Sequence, residues 1–237
     1  MSHPKVDMLK RIYDKNQTEF VESREGINRN LQMESAYHHN AFEGNTLTYA
    51  DVRQVVMHSL AVGNKTLREH FEIINYIKAM NYLYQQPKLN EQVVKQVHRI
   101  LVENIEEDGG VYRTKDVSIF AEYHKLPSHQ FLPTEMIRLF EYYENAEKEH
   151  PIDAAVTFHC RLLEMHPFAQ KNELLAKLVL NYLLMDAYYP CIFIPMHQQK
   201  EYTTAIERAV IAKDYTPAIQ LVSKQVEENL AKRLRVG

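Results

Sequence analysis

Apolar positions along this chain recur at helical spacing. In "NEQVVKQVHRILVEN", Val93, Val94, Val97, Ile100 and Leu101 share one stripe, and Asn90 stands where an N-cap belongs. "LTYADVRQVVMHSL" offers Thr48 as N-cap with Asp51 three residues on, a capping-box pattern, followed by Val52, Val55, Val56 and Leu60. "AAVTFHCRLLEMHPF" aligns Ala155, Phe158, Leu162 and Met165 along a further face. The segment 174–185, "LLAKLVLNYLLM", is apolar nearly all round, which predicts a helix enclosed by others at the centre of a bundle. Polar breaks fall at 61–66 and 85–90. One stretch departs from this rule: residues 109–133 open on two glycines, alternate around "VSIF" and end in proline, which predicts a short β-hairpin or extended flap between two helices. The pattern as a whole predicts an all-α domain with one small β-hairpin.

Composition narrows the function. The 237 residues are 45% hydrophobic and 25% charged, as in an ordinary globular protein, and suffice for one large domain or a domain with an appended segment. The formal net charge of −3 gives no general attraction to nucleic acid or to anionic membrane, so neither is expected as a partner. Cys160 and Cys191 are too few for a disulfide scaffold and are expected as reduced thiols. The start "MSHPKVDMLKR" has no apolar core of a signal peptide, and 174–185 is too short to span a bilayer, so a soluble cytoplasmic protein is expected. No glycine lies between Gly110 and Gly237, which excludes a glycine-rich phosphate loop in the second half.

Two separated stretches carry candidate chemistry: "HPFAQKNELLAK" at 166–177, where a histidine precedes the start of an apolar helix, and "HHNAFEGNTLT" at 38–48. The first resembles the signature of the Fic domain family, His-x-Phe-x-(Asp/Glu)-Gly-Asn-Gly-Arg-x-x-Arg. The second resembles the inhibitory helix that some members carry before the catalytic domain, (Ser/Thr)-x-x-x-Glu-(Gly/Asn), with His39 in the Ser/Thr place and then Glu43 and Gly44. The likeness continues through "GVYRTKDVSI", "HPIDAAVTFHCRLLEMHPF", "YYPCIFIP" and "EYTTAIERA", in order over roughly residues 35 to 225. It implies a Fic-fold helical bundle at 65–237 preceded by a helical extension at 1–64, whose segment at about 35–46 is the inhibitory one.

The resemblance further implies transfer of AMP from ATP, with Mg²⁺, to a hydroxyl of a target protein. His166 would be the base, and Phe168, Lys171, Asn172 and Lys177 would hold the positions that bind the nucleotide and its phosphates. Glu43 would inhibit. Val117, Ser118 and Ile119 on the flap would dock the target protein as an added strand, and a homodimer is a possible assembly.

The motif keeps His166, Pro167, Phe168 and Asn172 and loses much else. Gln170 occupies the place of the family's acidic Mg²⁺ ligand, so no metal ligand is expected from the motif. Lys171 and Glu173 replace its glycines, and Leu174 and Lys177 its arginines. Glu173 would bring a carboxylate to the helix start, where an anion otherwise sits. The losses predict weak or absent activity with ATP. The alternatives are a non-catalytic protein-interaction module or a transferase with another phosphate-containing donor.

Several residues have two readings. Lys177 could pair with Glu43 or with Glu173, four residues earlier on its helix. Lys171 is either a solvated charge, the favoured reading, or a phosphate contact. Glu43 is inhibitory or merely supports the Gly44-Asn45 turn. His159 is expected as a buried structural histidine, and His38-His39 as a partly exposed helix surface.

Overall fold

A computed structural model describes residues 1–16, 28–118 and 126–236. Ten α-helices are seen among them: α1 (Pro4–Asn16), α2 (Arg29–Phe42), α3 (Tyr49–His58), α4 (Leu67–Tyr84), α5 (Glu91–Leu101), α6 (Leu132–Asn145), α7 (Pro151–Met165), α8 (Asn172–Asp186), α9 (Gln199–Ala212) and α10 (Thr216–Val236). The helix starts follow local chemistry. Thr48 and Asp51 close a reciprocal capping box at α3, Thr66 and Glu69 close another at α4, and the Asn90 side chain accepts from Val93 N–H at α5.

Helix α8 lies at the centre. Every residue from Leu174 to Met185 is buried, and α7, α5, α4 and α2 pack around it. The stripe of α5 is buried at Val93, Val94, Val97 and Leu101, and that of α7 at Ala155, Phe158, Leu162 and Met165. One continuous apolar core runs from Val6 to Leu230, with α1 laid against α10 and α10 against α7 and α9. Leu60 differs from expectation: α3 ends at a left-handed Ser59, which throws Leu60 off the stripe to 57% exposure.

The flap differs as well. Among the described residues there is no strand, and 111–118 and 126–128 are irregular. Residues 119–125, and with them Ile119, lie outside the described residues. Segment 111–118 is held by a backbone bond from Arg113 N–H to Pro167 O at 2.9 Å, by the Arg113 side chain, by the Tyr112 hydroxyl donating to Glu91 at 2.7 Å and by Asp116 accepting from His129 N–H at 2.8 Å, among other contacts. Gly110 begins this segment at φ +78°, and a Cβ there would stand 2.6 Å from Lys95 O, so only glycine lets the chain pass so close to α5.

Candidate active site

The site forms where α7 ends and α8 begins. His166 terminates α7 in a left-handed conformation, φ 44° and ψ 61°, with its N–H on Leu162 O. Pro167, which has no N–H and disfavours helix in the residue before it, prevents α7 from continuing. The chain then turns through 168–171 and re-enters a helix at Asn172. The turn is closed reciprocally: Asn172 Oδ1 accepts from Phe168 N–H at 2.9 Å, and Asn172 Nδ2 donates to Phe168 O at 2.8 Å. Phe168 and Asn172, both retained in the motif, thus shape the loop. Phe168 is fully buried beneath it, stacked on His98 with centroids 3.9 Å apart and planes 7° apart.

Two residues that the sequence reading missed hold the loop from outside. His98 accepts from Gly110 N–H on Nδ1 at 3.0 Å, so its proton sits on Nε2, which faces Gln170 O at 3.1 Å. Arg113 spreads a buried guanidinium over four carbonyls: His166 O at 2.8 Å, Lys115 O at 2.8 Å, Pro127 O at 2.5 Å and Met165 O at 3.3 Å. A histidine on the apolar stripe of α5 was the available signal for His98. A charge within an irregular segment offered none for Arg113.

Burial, and then the Arg113 charge, push the His166 imidazole down to about 4, so near neutral pH it is uncharged. Its Nδ1 is buried without a hydrogen-bond partner. It stands at an open cleft of ≈ 450 Å³ walled also by Phe42, Glu43, Arg68, Glu72 and Lys171.

The wall around Glu43 is a cluster of paired charges. Glu43, the C-cap of α2, points one carboxylate oxygen at Leu174 N–H, 3.0 Å, at the first turn of α8. Its other oxygen lies 2.7 Å from Lys171 Nζ, and the same ammonium reaches Glu72 at 2.8 Å. Burial pulls the Lys171 ammonium down, but the Glu43 and Glu72 carboxylates outweigh that and hold its pKa above the ordinary lysine value. Lys171 is therefore not the solvated charge favoured from the sequence: its side chain is 7% exposed and bridges two carboxylates.

Lys177 pairs with Glu173 at 2.7 Å rather than with Glu43, and lies 3.6 Å over the Phe42 ring and 4.8 Å from Tyr202. Burial lowers its pKa, against the pull of Glu173. Glu173 turns back to its own helix, and Glu43, not Glu173, is the carboxylate that meets the α8 start. His39 is buried, not surface, with Nδ1 2.6 Å from the Tyr76 hydroxyl. His159 is structural: Nδ1 faces Ala176 O and Nε2 the Tyr202 hydroxyl, both at 2.9 Å. Val117 is half-buried and Ser118 exposed, on the segment that runs beside the loop.

The donor set does not suit Mg²⁺. Gln170 offers a neutral amide oxygen that already accepts from Arg68 at 3.2 Å, and Glu43, Glu72 and Glu173 each face a lysine.

Among the described residues, no helix is long and apolar enough to cross a membrane. The Fic/DOC family profile matches residues 88–184. The chain is 31% identical over 202 residues to "Protein adenylyltransferase Fic" of Drosophila virilis, and 30% identical over 202 residues to that of Drosophila grimshawi. These alignments cover 82% of this chain and 41% of each relative, so the chain spans about two fifths of the length of the curated relatives it matches. Among solved structures, a Fic domain containing signalling protein from Bacteroides thetaiotaomicron superposes with a TM-score of 0.85 at 22% identity, covering 96% of this chain and 94% of that one. Fic-1 from C. elegans gives 0.84 at 22% identity, over 98% of this chain and 71% of its own. The fold is that of these Fic structures, and the chain carries a Fic/DOC family domain.

Proposed function

We propose that this chain is a Fic-type transferase that moves AMP, or a related phosphate-containing group, to a hydroxyl of a target protein, and that Glu43 holds the site closed. The observation that carries this reading is the Glu43 carboxylate on Leu174 N–H. The first turn of α8 is a place where backbone N–H groups and the helix dipole favour an anion, and it lies beside His166. A side-chain carboxylate seated there competes with the phosphate that a transferase must hold. His166, neutral near pH 7, would take the proton of the target hydroxyl as its oxygen bonds to phosphorus and the donor's leaving group departs. The name carried by relatives at about 30% identity supports the same chemistry.

A second reading, a binding module without catalysis, is favoured by one observation. The motif's two arginine places hold Leu174, 1% exposed, and Lys177, 1% exposed beneath Phe42, so neither presents a free cation to a phosphate.

Transfer of label from ATP marked at the α-phosphate separates the two. Glu43→Gly is expected to label protein well above wild type, and Glu43→Gly with His166→Ala to label none. Absence of transfer from every nucleoside triphosphate in Glu43→Gly would remove the transferase reading and leave the binding module.

A further inference from the structure

At the opposite end of α7 from the loop, three metal-ligating side chains converge where α1, α7 and α10 meet. His3 precedes α1, His150 caps α7 and Asp153 lies in its first turn. Their ligand atoms all fall within 4.8 Å of one another. His3 Nε2 is 2.6 Å from Asp153 Oδ1, and the two imidazole rings are 4.3 Å apart. His3 and Asp153 are each 6% exposed. We propose that His3, His150 and Asp153 form a divalent transition-metal site, with zinc the best fit to its donors.

Two imidazole nitrogens and one carboxylate oxygen are a ligand set that Zn²⁺ takes, with water completing four-coordination. The surrounding bonds orient the ligands, and one of them, at His150, must break on binding. His3 Nδ1 is 2.8 Å from Ser223 Oγ on α10, which orients the ring and leaves Nε2 for the metal. His150 has Asp7 Oδ1 at 3.1 Å from Nε2, an outer carboxylate that steadies the second imidazole, and its Nδ1 accepts from Ile152 N–H at 3.2 Å. One of these His150 contacts yields when that nitrogen ligates. The Met1 amino group touches the second oxygen of Asp153, which leaves Oδ1 facing His3. The three ligands come from α7 and from the residue before α1, and the outer partners from α1 and α10. A bound ion therefore ties α1 to the bundle, and its binding free energy adds to folding.

The test uses the full chain without a polyhistidine tag. Zinc is titrated by calorimetry, cobalt(II) binding is followed by visible absorption, and melting is recorded with and without zinc. One equivalent of zinc, a cobalt spectrum of tetrahedral intensity and a zinc-dependent rise in Tm are expected. Asp153→Asn preserves shape and His150→Gln preserves a cap acceptor; each is expected to cost more than the ~10–100-fold that loss of an outer partner costs. Ser223→Ala, a mild change on a half-buried residue, is expected to weaken zinc by about 10-fold with folding intact. The proposal is overturned if the native chain binds no zinc, if cobalt stays six-coordinate, or if binding survives both ligand variants unchanged.

Discussion

The two halves of the 166–177 loop are held by different physics. The upstream half, His166 to Phe168, is framed by neutral backbone groups, stacking and one guanidinium that lies on carbonyls. The downstream half, Lys171 to Lys177, is held by ion pairs of three carboxylates with two lysines. The first arrangement positions the His166 imidazole and leaves it uncharged near neutral pH. The second fills the start of α8 with side-chain charge. A loop can thus keep a pre-organised imidazole while a backbone N–H at its helix start is satisfied by a side-chain carboxylate.

The difference can be broken from either side. Arg113→Leu is expected to cost most, at least about 4 kcal/mol in urea unfolding, because several buried carbonyls lose their donor at once. A loss below about 1 kcal/mol would mean that water replaces the guanidinium and that the upstream half is not framed as described. Lys171→Met should cost about 3 kcal/mol by leaving Glu43 and Glu72 facing each other without their shared cation. Adding Glu43→Gln to it should recover part of that loss, and strict additivity in the double-mutant cycle would count against the shared ion pair.

Within the loop, acid should act chiefly on the upstream half. His166 and His98 are both pushed down to about 4 by burial, against an ordinary value of 6.5. The unfolded chain then takes up protons that the folded chain refuses, so stability is full above pH 6.5 and falls as pH drops towards 4. His166→Gln should flatten that slope by up to about 1.4 kcal/mol per pH unit in urea melts taken across this window. The smallest effect is expected from Glu173→Gln, about 1 kcal/mol or less. Its carboxylate is 40% exposed and therefore screened, although Lys177 beneath it is buried.

The helices were legible because their determinants are local. A cap is a relation between residues three apart, as at Thr48 and Asp51 or Asn90 and Val93, and a stripe repeats every three or four. The enclosed position of α8 could be read from its lack of a polar face. The Glu173–Lys177 pair was one of two readings for Lys177, and it is the local one. What was not legible was the partner of each remaining charge. Lys171 looked solvated because its local sequence is polar, and only packing of α2 and α4 against the start of α8 brings Glu43 and Glu72 to it. Arg113 looked like a flap residue until the loop carbonyls closed around it.

By itself, then, the sequence determined the helices, their caps, the central place of α8 and the likeness that located His166 and Glu43, since all of these depend on spacing along one chain. Tertiary structure alone decided that Glu43 sits on Leu174 N–H, 131 residues away in sequence, that Lys171 rather than Lys177 receives it, and that His3 meets Asp153. The physical reason is range. Hydrogen bonds within a helix turn are set by backbone geometry, whereas a buried charge takes whichever opposite charge the packed helices bring within a few ångströms.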